Sequence, residues 1–258
     1  VRALAWSVLA VACASSQHPA AQGDRTTESE LTLRLDPDED PAHALDVATA
    51  RLASLGVTRA DVTAATGSLS LRLPRAVSPQ AARALRETAW MRGLAVDESR
   101  DLSALLPAEG VRGEVEAVTL TPGLTLQSVA LRGERAALAA LASRGEALTV
   151  VPEGEVWRLV ALRREVVAHG GAVTHCARRG EREVALALAG EAPTRRWVLT
   201  LNGEAAALVP AREAPVVRLA GATDAEALLA RCAHGMLRGP LRADDQSPSQ
   251  GTGSSVAP

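Results

Sequence analysis

An α+β fold, with antiparallel sheets carrying helices on one face, is what this sequence predicts, and three observations predict it. Short runs alternate apolar and other residues with period two, as Leu31, Leu33 and Leu35 do, then Leu69, Leu71 and Leu73, then Val184, Leu186 and Leu188; this is the pattern of half-buried strands. Between such runs lie segments with apolar residues at helical spacing, opened by capping residues. The links are short and rich in turn formers, Asn202-Gly203 being the strongest because both positions accept positive φ.

Taken in order, a strand over 31–35 is followed by Asp40-Pro41, a cap and a first-turn proline, and by Leu45, Ala48, Leu52 and Leu55 at helical spacing until Gly56. A weak strand over 61–65 turns at Gly67 into the strand ending at Pro74, and Ser78-Pro79 repeats the cap signal before Ala82, Leu85 and Ala89 line one face of a helix. Leu94 to Val96 gives a further strand. The order β-α-β-β-α-β over 30–98 is that of a ferredoxin-like split unit. Residues 99–154 form a connecting α/β segment, with strands over 115–120, 124–131 and 147–151 and an alanine-rich helix over 134–144 closed by Gly145. A second ferredoxin-like unit is expected over 155–241, with strands over 156–162, 183–189, 197–201, 205–209 and 216–219. Its closing helix is opened by a capping box at Thr223 to Glu226 and buries Ala225, Leu228, Leu229 and Cys232. Residues 242–258 read as a disordered tail.

Composition removes several functions. All 28 basic residues are arginine, and without lysine there is no Schiff base, no pyridoxal-phosphate attachment and no P-loop. Phe and Tyr are absent and the net charge is −2, which argues against a nucleic-acid surface. Cores must therefore be made of Leu, Val and Ala, and any recognition must rest on those residues, Met91, Met236, Trp90, Trp157, Trp197 and the backbone.

The first 13 residues hold one arginine and then a short apolar run ending Leu9-Ala10-Val11-Ala12-Cys13, which suits a secretory signal and is too short to span a bilayer. Two readings stand: a lipobox in which Cys13 is acylated, and ordinary cleavage at the small-x-small sequence Ala12-Cys13-Ala14. Residues 14–29 then form a polar tether. The chain is thus expected to be exported and held at the cell envelope, its membrane contact being the lipid anchor.

Arg51-Leu52-Ala53-Ser54-Leu55-Gly56-Val57, the strand ending Leu73-Pro74, and the helix leading to Leu94-Ala95-Val96 resemble the periplasmic domain of the SecD subunit of the bacterial protein-export machinery. Gly170-Gly171, the runs over 183–188 and 198–203, and Leu219-Ala220-Gly221-Ala222-Thr223-Asp224-Ala225-Glu226-Ala227-Leu228-Leu229-Ala230 are similar to the head subdomain of that family. The sequence departs from the family in lacking transmembrane helices after its signal and in joining the strands ending near 189 and starting near 197 by only a short link. The resemblance implies a stand-alone relative that contacts emerging or unfolded polypeptide, or the export machinery, and carries no motor function.

No motif of a common hydrolase, zincin or nucleotide enzyme is present, so no catalytic residue, cofactor or metal is expected. His169, His175, Cys176, Cys232 and His234 have suitable atoms for zinc but no familiar spacing. Once Cys13 is acylated or removed two cysteines remain, and a Cys176–Cys232 disulfide suits an oxidising compartment, while Cys232 also fits a plain buried stripe. The acidic run Asp36 to Asp40 reads as a solvated helix N-terminus. The pairs Arg163-Arg164, Arg178-Arg179 and Arg195-Arg196 read as solvated surface, with acidic client segments as the other reading. The function expected is non-catalytic binding of polypeptide. The alternatives are a structural envelope lipoprotein without clients, and an enzyme or zinc protein with an unrecognised site.

Overall fold

A computed structural model describes residues 28–58, 60–121 and 123–243 of the 258. The expected signal, the anchor at Cys13 and residues 14–27 of the expected tether lie outside the described residues, as does most of the expected tail; the tether boundary at 29 is corrected, because Glu28 and Ser29 already pair with Pro74 and Leu73 of the neighbouring strand. The described chain is α+β with antiparallel sheets.

β1 (Glu28–Arg34), β3 (Ser68–Pro74) and β2 (Asp61–Ala65) lie side by side in that order, all antiparallel. Their alternation buries Leu33, Leu69, Leu71 and Leu73 completely, against Val47, Ala48 and Leu52 of α1 (Pro41–Ser54) and Leu85 of α2 (Ser78–Arg86). Asp40 caps α1 as expected, its Oδ1 accepting the Ala42 N–H at 3.0 Å. Ser78 does not cap α2. The turn after Pro74 already gives the Val77 carbonyl to the Ala81 N–H, so Val77 takes the cap position and Ser78 lies inside the helix.

The expected fourth strand of this unit forms as β4 (Met91–Val96), but it leaves for another sheet. Beside β1 lies instead β14 (Arg242–Ala243), where Leu33 faces Ala243 and Arg34 faces Arg242. The tail boundary at 242 is thereby corrected: those two residues are paired. β4 behaves as a central strand because it is paired along both edges, because its Met91, Gly93 and Ala95 face is buried, and because Gly93 leaves room for the Trp197 ring, whose Cε3 would stand 2.6 Å from a Cβ there.

The large sheet holds β5 (Val111–Thr121), β6 (Leu124–Gly133), β7 (Leu148–Glu153), β8 (Val156–His169), β11 (Trp197–Leu201) and β12 (Glu204–Val209) besides β4. β8 is twice the length expected, and its first half is flanked by β7 and β6 while its second half pairs with β4. The sheet curls until β12 lies against β7. Val96, Val151, Val160 and Val198, from four of its strands, then share one core with Ala205 and Leu208 of β12. α3 (Arg135–Ala142) covers a separate core of Leu131, Leu138, Leu141 and Leu159. Asn202 and Gly203 turn at φ 52° and 88°, as their sequence predicts. The turn is tied back to β4 by paired bonds between Asn202 and Trp90.

The strands expected to form one unit over 155–241 are divided. β9 (Val173–Arg178), β10 (Glu183–Leu188) and β13 (Val216–Arg218) make a three-stranded sheet of order β13–β10–β9, whereas β8, β11 and β12 belong to the large sheet. α4 (Ala222–Cys232) packs on β9 and β10. Its cap is Gly221, whose N–H is accepted by Asp224 Oδ2 at 3.1 Å, in place of the Thr223/Glu226 box. One core runs from Val184, Leu186, Val217 and Ala225 into Met91, Trp197 and Met236, all fully buried, so the small sheet and the large one are packed as a continuous interior. No helix among the described residues is long and apolar enough to cross a membrane.

Candidate functional site

The cysteines at 176 and 232 are joined in a disulfide with Cα atoms 6.1 Å apart, tying β9 to the last turn of α4. Among the described residues no group of three His, Cys, Asp or Glu is placed to hold a metal. His175 lies on β9 facing Ala187 across the ladder. His169 ends β8, and burial, then the nearby Arg238 and His43, push its imidazole below the usual range. Replacing both cysteines by serine is expected to cost about 2–4 kcal/mol. Urea unfolding of the oxidised parent, the reduced parent and the double variant checks this; the reduced parent and the variant should agree, and three superimposable curves would refute it.

The acidic run is not a solvated helix end throughout. Asp40 caps α1, but Asp36 pairs with Arg92, and Glu39 is only 6% exposed. Glu39 accepts the Arg238 N–H, Arg92 Nε donates to the Arg238 carbonyl at 3.2 Å, and His43 Nε2 bonds the Met236 carbonyl at 2.8 Å. Burial pushes the Glu39 carboxyl up, against the lowering effect of the Arg238 N–H. These groups pin residues 236–238 over α1 and β4. Nothing in the sequence signals it, because the partners are 146 to 199 positions apart.

The arginine pairs are split by their strands or loops. Arg163 meets Asp97 at 3.2 Å, Arg178 meets Glu226 at 3.7 Å, and Arg196 pairs with Glu98. A denser cluster, missed by sequence reasoning, joins Arg132 and Arg158 to Glu114, Glu116 and Glu153 where β5, β6, β7 and β8 meet, with Arg196 3.5 Å from Glu116. Burial by itself would raise the Glu116 and Glu153 carboxyls, but the guanidinia of Arg158 and Arg132 outweigh it and hold both below the usual range. Arg158 is 6% exposed, so its charge depends on those partners.

Of the large side chains available for recognition, Trp197, Met91 and Met236 are fully buried in the core. Trp90 packs against the α1–α2 core. Trp157 is half-buried and lines a cleft of about 760 Å³, a size ordinary for ligand sites. The walls are the turn between β7 and β8, the start of β12, β13 with the residues after it, and one side of α4. Arg135 lies over the Trp157 ring at 4.8 Å. β13 presents a free edge. The Leu219 N–H reaches the Arg182 carbonyl and the Leu186 N–H reaches the Pro215 carbonyl, so the odd-numbered peptide groups turn to β10. The peptide groups of the even-numbered Arg218 then face the other way, where no described strand pairs with β13, and Arg218 lines the cleft.

β5 is the end strand of the large sheet, with Val115 70% exposed. Two of its side chains, Glu114 and Glu116, are already committed to the arginine cluster. A smaller cleft of about 470 Å³ contains Arg195 and Arg196, of which Arg196 is likewise engaged. No protein-family model and no curated protein sequence matches the chain.

Proposed function

We propose that this protein is a non-catalytic polypeptide-binding module of the cell envelope, which takes an extended segment of a client into the Trp157 cleft by adding it as a strand to β13. The observation that carries the reading is the coincidence in one cleft of an unpaired strand edge and Trp157, a half-buried tryptophan that rests on the α3 core with part of its surface open to the cleft. Strand addition supplies backbone hydrogen bonds that are indifferent to client sequence, and a half-buried tryptophan supplies apolar area that this composition otherwise lacks. The disulfide favours an oxidising compartment, in keeping with export directed by the first 13 residues and an anchor at Cys13.

The likeness to the SecD periplasmic domain is part of the proposal only for the first unit. What supports it there is the antiparallel order β14–β1–β3–β2 with α1 and α2 packed on it, the order a ferredoxin-like unit would have with β14 as its fourth strand. The division of the 155–241 strands between two sheets counts against a single head subdomain, so contact with the export machinery has less support than binding of polypeptide.

The test places a photo-crosslinking amino acid at Ala220 in the purified domain and offers it a reduced, carboxymethylated protein and the same protein native. Capture of the unfolded form alone is expected, with Trp157→Ala lowering its affinity about tenfold. Equal capture of both forms, or unchanged affinity in a Trp157→Ala variant whose circular dichroism matches the parent, would overturn the reading.

A further inference from the structure

We propose that the segment this cleft takes is acidic, an extended stretch of polypeptide bearing several Asp or Glu side chains; this rests on the cleft being the client site. Four guanidinia line it, those of Arg135, Arg182, Arg218 and Arg231. The carboxylates facing them are Glu155, Glu204 and Asp224. Glu155 is occupied by Arg218 at 2.7 Å, and Asp224 accepts the Gly221 N–H that caps α4. Arg135, Arg182 and Arg231 have no carboxylate partner among the described residues, which leaves Glu204 as the one acidic side chain of the lining that is not engaged. Three uncommitted cations therefore face one uncommitted anion.

Each of the three comes from a different element: Arg135 opens α3, Arg182 precedes β10 and Arg231 ends α4. Three elements of distant sequence thus present the same charge to the same space, in a chain whose formal charge is −2. Around Arg158 the chain supplies three glutamates to Arg132, Arg158 and Arg196, whereas in the cleft a single free carboxylate is left for three guanidinia.

The geometry of the groups favours carboxylates of a polypeptide over other anions. Guanidinium is planar, weakly hydrated and suited to bidentate pairing with carboxylate. Arg135 stands over the Trp157 ring at 4.8 Å, a contact that reduces the side-chain freedom it must lose on binding. Guanidinia spaced around the walls of the cleft suit several carboxylates on one extended chain, and the outward peptide groups of Arg218 on the edge of β13 are the donor and acceptor such a chain needs. A nucleic acid finds one tryptophan here and no other aromatic ring to stack on.

The experiment titrates fluorescein-labelled peptides of about twelve residues, alternating Leu with Glu, Gln or Arg, against the domain at about 50 mM and about 500 mM salt, reading anisotropy. The Glu peptide is expected to bind about tenfold more tightly than the Gln peptide at low salt, with the ratio shrinking at high salt, and the Arg peptide to bind weakest. Arg182→Glu and the double variant with Arg231→Glu should collapse the Glu-to-Gln ratio, while Arg86→Glu on α2, outside the cleft, leaves it intact; Arg182 is exposed, so its variant keeps the test valid if Arg231→Glu fails to fold. Equal affinity for the Glu and Gln peptides would overturn the acidic preference and leave polypeptide binding standing. Absence of binding by every peptide would overturn both. Binding of succinate or inorganic phosphate with no peptide bound would overturn it in favour of a small-anion site.

Discussion

Glu116→Gln is expected to lower stability at neutral pH by roughly 3 kcal/mol, a fall in Tm of about 6–12 °C for a domain of this size. Glu116 accepts from both Arg132 and Arg158 and stands 3.5 Å from Arg196, so a neutral amide leaves Arg158, 6% exposed, with Glu153 alone. An exposed pair supplies the control. Arg83 and Glu87, one helical turn apart on α2, keep 82% and 51% of their side-chain surface in water, and Glu87→Gln should cost less than about 0.5 kcal/mol. The pH dependence has a definite sign. Because Glu116 and Glu153 titrate below the unfolded value of about 4.3, their contribution is present above that pH and is lost as pH falls through the folded pKa. The difference between parent and Glu116→Gln should therefore be full at pH 7 and shrink below about pH 4. A variant within 0.5 kcal/mol of the parent at pH 7, or a difference that grows on acidification, would show that the cluster is solvated in solution.

Gly170→Ala should be as damaging, about 3 kcal/mol or more, and for a purely steric reason. A Cβ at Gly170 would stand 1.9 Å from the Leu237 carbonyl oxygen and 2.6 Å from its carbon. That carbonyl is not free to retreat. It accepts the Met91 N–H at 3.0 Å, and the Leu237 N–H donates to the Ala89 carbonyl, so relief requires the 236–238 segment to leave β4. The same segment is held by Glu39, Arg92 and His43, and the variant should loosen all of these together. Gly180→Ala is the matched comparison: its nearest neighbour would be a glutamate oxygen at 3.5 Å, and the change should stay within about 0.5 kcal/mol. Denaturant melts of the two variants check the pair, and a Gly170→Ala protein as stable as Gly180→Ala would mean the segment is not seated as described.

Local elements were readable because their causes are local. The Asp40-Pro41 cap, the leucines alternating in β3, and the Asn202-Gly203 turn each act through neighbours within a few positions, and each forms where expected. Ser78 and Thr223 failed as caps for a reason of the same range: a residue one or two positions earlier, Val77 or Gly221, had already supplied the first helical acceptor. Sheet membership was not readable in this way. β4, β8, β11 and β12 look like the strands of two consecutive units, and alternation says which face of a strand is buried without saying against which partner. The cleft was still less legible, since its arginines come from four separate stretches and are ordinary surface residues in each.

By itself, then, the sequence determined the α+β character, the run of strands and helices, a core of Leu, Val and Ala, and the two cysteines available to pair. The tertiary structure alone decided that β4 crosses into the large sheet, that residues 236–238 are held over α1 and β4, and that Trp157 stays half-buried at the cleft while Trp197 is fully buried. The physical reason is one of distance along the chain. Propensity, capping and turn geometry are settled within a few residues, whereas the fit of Gly93 to Trp197, of Gly170 to Leu237 and of Arg158 to Glu116 joins positions that only the completed packing brings together.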